Sequence, residues 1–491
     1  MILNIIILLP ILAALAVWLG APARITSLLA SVVGLAVTLG LFFNYASAGA
    51  HGMAFTSAHD VLAHPHIQWA VGADGISLTL ALLTTLVTVA AVWSMVDKEP
   101  IYYIASLLIS AGALGAFLFT DIFFLYAFHE LALIPTFLMI ALHGHGDRRS
   151  VAWKITIYLG VGSLVLLAGL LGVVWYCSPP DKGLTFVLSE LAPLKEGAKY
   201  SQYAAANFFT LLLGFGTLVS LFPFHSWAAP AYASAPTPIA MLHAGVLKKF
   251  GLYGLIRIAL PLLPAGAQAP WVKEALLLML LGNILVMGLV TIHQTRLDDM
   301  LANSSVMHMG YIFLGLASGN ALGQNGAVLL MFAHGISIAL LFMLCGRLRN
   351  QLGTLEFEKL GGLAANAPYL SLVFGFAAFA SIGLPGLANF AGEVLVFFST
   401  FEGFHWEKGL GSLQITTILS LWGVVISAVY MLRAYRRIFF GGTTSGLFLT
   451  DPPWSQRIPM TVLAAVLLVV GCYPGVLLNS IKASLEVLGV K

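Results

Sequence analysis

Apolar runs of roughly 20 residues, parted by short polar connections, recur from one end of the chain to the other. Each is long enough to cross the hydrocarbon core of a bilayer as a helix. The runs fall near 2–19, 25–45, 76–96, 101–119, 122–142, 152–176, 205–222, 238–262, 271–292, 299–318, 324–346, 367–400, 413–437 and 458–478. They predict an all-α polytopic membrane protein with about fourteen transmembrane helices. No positively charged stretch precedes the first run, which is therefore expected to be a retained helix and not a cleaved signal.

Two runs are interrupted where a helix cannot continue. The seventh leads into LFPFHSWAAPAYASAPTP, whose Pro223, Pro230, Pro236 and Pro238 cannot share one continuous helix. The twelfth contains ASIGLPGLANFAGE, with Gly383, Pro385 and Gly386 in mid-run. Irregular backbone at such depth is tolerated only when it is buried in protein or lines a cavity. Breaks in corresponding places point to internal repeats. Because the breaks lie five helices apart, and five is odd, the second repeat must insert with opposite topology. The expected organisation is three flanking helices in 1–100, one five-helix repeat in 101–262, its inverted copy in 271–440 and a last helix in 456–491.

Composition narrows the class further. Charged residues make up 9% of 491 positions and mean hydropathy is +0.95, whereas soluble domains carry about 25% charge. The net charge of +3 comes without a basic cluster, so no nucleic-acid partner is expected. Lys and Arg favour the loops that follow odd-numbered helices: Arg24, Lys98, Arg148, Arg149, Lys154, Arg296, Arg347, Arg349, Lys359, Arg433, Arg436, Arg437 and Arg457. The even-numbered loops and the C-terminus carry only Lys182, Lys195, Lys199, Lys273, Lys408, Lys482 and Lys491. By the positive-inside rule both termini should face the outer, periplasmic side of the inner (plasma) membrane. Cys177, Cys345 and Cys472 form no paired motif, so neither a metal cluster nor a redox centre is indicated. A disulfide between Cys177 and Cys472, both on the outer side, stays open at this level.

What the chain does is suggested by charges that do not belong in lipid. Glu130 lies in FFLYAFHELALIPTFLMIAL, with no other formally charged residue between Asp121 and Asp147. A carboxylate at mid-bilayer depth costs about 2.5 to 3.5 kcal/mol even on lenient insertion scales. Lys248 and Lys249 in the eighth helix and Glu393 beyond the break of the twelfth repeat the anomaly, joined by His308 in the tenth helix and His334 in the eleventh. His225 at the first break and His243 ahead of the lysines are further candidates. Such a row of carboxylate, ammonium and imidazole groups suits proton transfer through a low-dielectric interior. The blander readings are a packed histidine for His225 and His243, a structural one for His129, and static ion pairing for the glutamates. Asp74 and Asp121, at helix ends, are expected to be structural, and His51, His59, His64 and His66 crowd an outer loop without a metal-ligand spacing.

At these residues the chain resembles a known family. FHELALIPTFLMIALHG, PFHSWAAPAYASAPTP, MLHAGVLKKFGLYGLIR, SSVMHMGYIFLGL, FAHGISIALLFMLCGRL, GLPGLANFAGE and MLRAYRRIFFG are similar, in this order, to the antiporter-like membrane subunits of respiratory complex I and to their relatives in Mrp antiporters and membrane-bound hydrogenases. A glutamate at the position of Glu393, and a chain that ends soon after its fourteenth helix, are similar to the NuoM type, chain 4.

The resemblance implies two inverted five-helix bundles and a proton path in which Glu130 modulates uptake, Lys249 is the central relay, His308 and His334 link the half-channels and Glu393 is the terminal site. It also implies that the chain binds no cofactor, that quinone is reduced in other subunits, and that NuoL-like and NuoN-like neighbours surround it together with lipid. The related antiporter or hydrogenase complexes are the alternative. Two departures stand out. The family's seventh-helix lysine, the partner of Glu130, is here Leu218, and an aspartate usual after HSW is replaced by Pro230. Lys248, about 100° around the helix from Lys249, is the nearest candidate replacement.

Overall fold

The computed structural model describes residues 1–49, 51–181, 183–194, 198–405, 407, 409–442 and 448–489. Of the loop lysines that bear on orientation, Lys182, Lys195, Lys408 and Lys491 lie outside the described residues. The protein is a bundle of helices, because in lipid a segment must satisfy its own backbone hydrogen bonds. In chain order they are α1 (Ile2–Trp18), α2 (Ala23–Ser47), α3 (Gly75–Ser94), α4 (Pro100–Leu118), α5 (Ile122–His143), α6 (Arg148–Cys177) and α7 (Ala198–Val219). After the short α8 (Ala228–Ser234) come α9 (Thr237–Leu262), α10 (Pro270–Ile292), α11 (Leu297–Ala317) and α12 (Ala321–Leu352). The broken pair α13 (Pro368–Ile382) and α14 (Ala388–Ser399), then α15 (Ser412–Phe439), α16 (Trp454–Cys472) and α17 (Gly475–Val487), complete the chain.

Among the described residues twelve helices are long and apolar enough to cross a membrane. With α1, and with α13 and α14 counted as one broken span, they account for the fourteen apolar runs. Side-chain caps mark several membrane ends. Asp74 accepts from Ser77 N at 2.9 Å, Asp121 from Phe123 N at 2.9 Å and Asn320 from Gly323 N at 2.9 Å, each filling an orphan donor of the first helical turn. Burial is uneven. Spans α3, α9, α11 and α12 are enclosed almost completely by other helices, whereas α2 and α16 keep most of their apolar surface on the outside of the bundle. A helix apolar all round belongs in such a core.

Two features depart from the sequence expectation. The outer loop that carries His51, His59, His64 and His66 forms an antiparallel hairpin, β1 (Ala54–Leu62) with β2 (Ile67–Ala73), pairing His59 with Trp69 and Leu62 with Ile67. Trp69 seats it on the bundle, its ring 4.7 Å from Phe119 and 4.9 Å from Phe124. The last apolar run divides at Tyr473 and Pro474, and α17 turns back against α3 and α12. Both cysteines considered for a disulfide are free, Cys177 buried and Cys472 exposed.

Gly75 is the closest point of the α17 packing. Its N–H donates to Ser484 Oγ at 2.7 Å, and a Cβ there would lie 2.0 Å from the backbone oxygen of Ser480. Gly75→Ala is therefore expected to destabilise the protein by about 1–3 kcal/mol, the usual range for overpacking, and thermal unfolding with a proteolysis readout at 474–489 checks it.

The hairpin is latched by His66, whose Nδ1 lies 2.9 Å from Glu190 Oε2 and whose Nε2 lies 3.2 Å from Asp60 Oδ1. Hydrogen bonding to Glu190 and then to Asp60 raises the imidazole above its ordinary value. The latch is thus complete below about pH 6.5 and is lost as pH rises through the raised value. Amide exchange across 54–73 should accelerate over that window in the wild type and show no such step in His66→Gln; an identical step in both would assign it to another group.

Candidate functional site

The two breaks organise the site, because each leaves backbone polar groups that side chains must meet. At the first, α7 ends at Val219 and Ser220 adopts φ +73°. Asn283 of α10 mends the gap. Its Oδ1 accepts from Phe222 N at 2.7 Å, and its Nδ2 donates to Ser220 O at 2.9 Å and to Val306 O at 3.0 Å. The Trp227 indole donates to Thr217 O at 3.0 Å. At the second break, Gly383 (φ +85°) and Gly386 (φ +90°) turn the chain between α13 and α14. Glu393, 3% exposed, lies directly against that turn: a Cβ on Gly383 would sit 2.2 Å from its Oε2. Only glycine fits there, for both the backbone angle and the carboxylate.

Between the breaks buried basic side chains come together. Gly245 of α9 and Gly335 of α12 let the two backbones touch, since a Cβ on Gly335 would stand 2.7 Å from Gly245 O. Small residues permit such close approach between membrane helices. The approach brings Lys249 Nζ to 3.1 Å from His334 Nδ1. A wide π-type turn over His243–Leu247 precedes it, of the kind often found at functional sites, and Lys249 also donates to Ala244 O at 2.8 Å. The His334 ring lies 5.6 Å from that of His308. His308 in turn places Nδ1 2.8 Å from Ser304 O and Nε2 2.9 Å from Ser381 O, the latter on the last turn of α13. Lys249, His334 and His308 thus form one buried series, and His308 reaches the break at which Glu393 lies.

The remaining predicted residues divide. Lys248 points away from its neighbour to α11, where Nζ donates to Ser305 O at 2.7 Å and Oγ at 2.5 Å, with the Tyr232 ring 5.3 Å away. His243 is boxed between the rings of Trp227 and Tyr232, at 5.5 and 5.1 Å. His225 stacks on Phe222 at 5.2 Å. His129 stacks on Phe250 at 4.0 Å, in keeping with a packing role.

Glu130 is not brought to either lysine. Its Oε1 accepts from Ser163 of α6 at 2.6 Å, with His129 Nδ1 at 3.5 Å, and its side chain is 34% exposed. Leu218 is buried and packs towards Gly162, next to Ser163. A hydroxyl thus meets the carboxylate, with a leucine beside it.

Several participants escaped the sequence reading. Asn283 was visible as a lone amide in an apolar run, but nothing in the pattern marked Ser304, Ser305, Ser381 or Tyr430. Ser304 Oγ lies 2.8 Å from Tyr430 OH and 3.5 Å from His308 Nδ1. Away from the axis, Arg257 pairs with Asp74 at 2.6 Å, both buried. On the side opposite the termini, Asp298 joins Arg296 at 2.9 Å and Arg349 at 2.7 Å. Beside them a cavity of about 120 Å³ opens among Lys98, His143, His145 and Arg347. Burial, then the nearby Arg349, lowers the His145 imidazole to about 4, so it is neutral at physiological pH. Among the described residues no three His, Cys, Asp or Glu side chains converge as metal ligands.

Comparison with known proteins places this geometry. Residues 120–420 match the family described as NADH:quinone oxidoreductase/Mrp antiporter, TM. The chain is 32% identical over 467 residues to NAD(P)H-quinone oxidoreductase chain 4 2 of Trichodesmium erythraeum, covering 93% of this chain and 81% of that one. It is 33% identical over 423 residues to NADH-quinone oxidoreductase subunit M of Pseudomonas aeruginosa, covering 84% and 80%. Its fold superposes on a chain of respiratory complex I from Thermus thermophilus with a TM-score of 0.88 and 28% identity over 99% of both chains. A chain of the Mrp complex from Dietzia shares the fold alone, with a TM-score of 0.84 and 17% identity over 99% and 97%. With more than half of its length matched and relatives above 30% identity along most of it, the chain belongs to the NADH:quinone oxidoreductase/Mrp antiporter family of membrane subunits.

Proposed function

We propose that this chain is a NuoM-type, proton-translocating subunit of an NADH or other donor:quinone oxidoreductase, driven by quinone reduction elsewhere and holding no cofactor of its own. The observation that carries this is the buried series Lys249, His334 and His308, which runs from the first repeat into the second and ends at the break beside Glu393. Charged and polar groups so deep in a membrane bundle are expensive, and where they persist they mark ion paths and proton relays. The repeats are taken as 101–262 and 271–440, with flanking helices in 1–100 and 456–491. Protons enter from the cytoplasmic side, opposite the termini, near the cavity at His145, with Glu130 and Ser163 modulating uptake. They pass from Lys249 through His334 and His308 and leave at Glu393. Both termini face the periplasmic side of the plasma membrane, and NuoL-like and NuoN-like subunits flank the chain in the lipid.

The absence of a lysine at Leu218 favours a second reading, a membrane scaffold with a closed channel. Substitutions on the axis separate the two. In vesicles containing the assembled complex, Lys249→Ala is expected to reduce donor-coupled proton transfer through this subunit by about a hundredfold, the low end for losing a positioned proton carrier. Lys248→Ala removes only the tether to Ser305 and Tyr232 and should retain a measurable fraction.

Release at Glu393 works against the membrane potential, about 2.3 kcal/mol per charge for each 100 mV, so the site must change its proton affinity during turnover. Glu393→Gln should assemble and pump poorly, while Glu393→Lys keeps a titratable group and part of the activity. Infrared difference spectra through turnover should show a carboxyl band that disappears in Glu393→Gln. Undiminished pumping by assembled Lys249→Ala and Glu393→Gln complexes would leave the scaffold reading standing and the proton path refuted.

A further inference from the structure

His308 holds two backbone carbonyls at once. Nδ1 lies 2.8 Å from Ser304 O, one turn back in its own helix, and Nε2 lies 2.9 Å from Ser381 O across the interface. A carbonyl oxygen only accepts, and a neutral imidazole carries a single N–H. Both contacts are therefore hydrogen bonds only when the ring carries two protons. The two carbonyls are not equivalent. Ser304 belongs to the continuous helix α11, whereas Ser381 sits in the last turn of α13, where carbonyls lose their intrahelical partners. There Ala380 O accepts from Gly383 N at 3.2 Å and Phe379 O from Leu384 N at 3.1 Å, while Ser381 O accepts from His308. The turn capped in this way is the one whose Gly383 meets the Glu393 carboxylate.

We propose that His308 is a protonation-dependent clasp on the broken span: the doubly protonated ring ties Ser304 to Ser381, and loss of the Nε2 proton frees the turn 383–387 against which Glu393 is held. In the onward step the Nε2–H bond breaks, its proton passes by way of water to the Glu393 carboxylate as a new O–H bond, and the ring keeps its Nδ1 proton. The bared Nε2 lone pair then faces Ser381 O, an acceptor against an acceptor, and the cap is lost.

The proton's departure and the movement of the turn are in this way one event. The titratable and charged groups around the ring come from every packed element: His334 on α12, Lys248 and Lys249 on α9, Tyr311 on α11 itself, Tyr430 on α15 through Ser304, and Glu393 on α14. His308 acts on Glu393 through the backbone and is a positioning residue as well as a carrier. The inference rests on the proposed proton path for its meaning, but its test does not.

The test is hydrogen exchange at 383–387 in the intact complex in nanodiscs, across a pH series and corrected for the intrinsic rate at each pH. In the wild type, protection should fall by about tenfold or more as the ring loses its proton, as expected for one lost charge-assisted hydrogen bond. His308→Gln supplies a side-chain N–H that does not titrate, so its protection should stay flat with pH. His308→Ala should be weakly protected at every pH. Flat protection in the wild type, or an equal fall in His308→Gln, overturns the clasp. Flat protection in the wild type overturns the clasp even if neither variant assembles. Normal pumping by Lys249→Ala and Glu393→Gln would refute the proton path while leaving a clasp seen by exchange intact.

Discussion

A backbone that leaves helical geometry inside hydrocarbon must find every lost hydrogen bond in the protein itself, and this constraint governs the architecture. The bundle breaks two of its spans and then repairs them from neighbouring helices. Asn283 spends its amide on Phe222, Ser220 and Val306, and His308 reaches across to Ser381. Each repair requires a polar residue at a fixed depth on a third helix. That fixes how α10 lies against α7 and how α11 lies against α13. The broken spans and the enclosed core of α3, α9, α11 and α12 therefore form one construction: without partners buried on all sides the breaks could not persist.

The same enclosure creates the conditions for the chemistry. Gly245 and Gly335 remove the side chains that would hold α9 and α12 apart, and Lys249 meets His334 as a result. Adjacent residues on one helix then take different tasks. Lys248, rotated towards α11, anchors to Ser305, while Lys249 faces the histidine series. Glu393 reaches the far end of that series only because Gly383 has no Cβ. Glycine thus serves the site twice, once to bring helices together and once to seat a carboxylate in a turn.

Glu130 stands apart from this axis. A lysine partner would have bound the carboxylate by charge; Ser163 binds it with one hydroxyl, and Leu218 fills the adjoining space with methyl groups. Replacing an ammonium by a hydroxyl keeps a hydrogen bond but removes the long-range attraction. Among the described residues Glu130 makes no ion pair with Lys248 or Lys249. Lys248 does not meet Glu130 either: its Nζ donates to the carbonyl and hydroxyl of Ser305 on α11.

Apolar run length and helix-breaking residues alone were sufficient for the fourteen spans, the two breaks and their inverted relation, since a bilayer leaves a chain few other options. Depth in an apolar run was enough to single out Glu130, Lys248, Lys249, His308, His334 and Glu393, because an ionisable group there is conspicuous in any reading. Pairing was not legible. That Lys249 meets His334 while Lys248 meets Ser305, that Ser163 meets Glu130 and that His308 meets Ser381 all depend on contacts between spans far apart in sequence. The hairpin at Ala54–Ala73 was hidden for a related reason: β1 shows no strict alternation of polar and apolar residues, its register is interrupted by bulges, and Trp69 holds the strands only once Phe119 and Phe124 are in place. Local pattern determined which segments enter the membrane and which residues are costly there; tertiary packing decided what each costly residue touches, because hydrogen bonds and close glycine contacts act over a few ångströms and exist only after the helices have met.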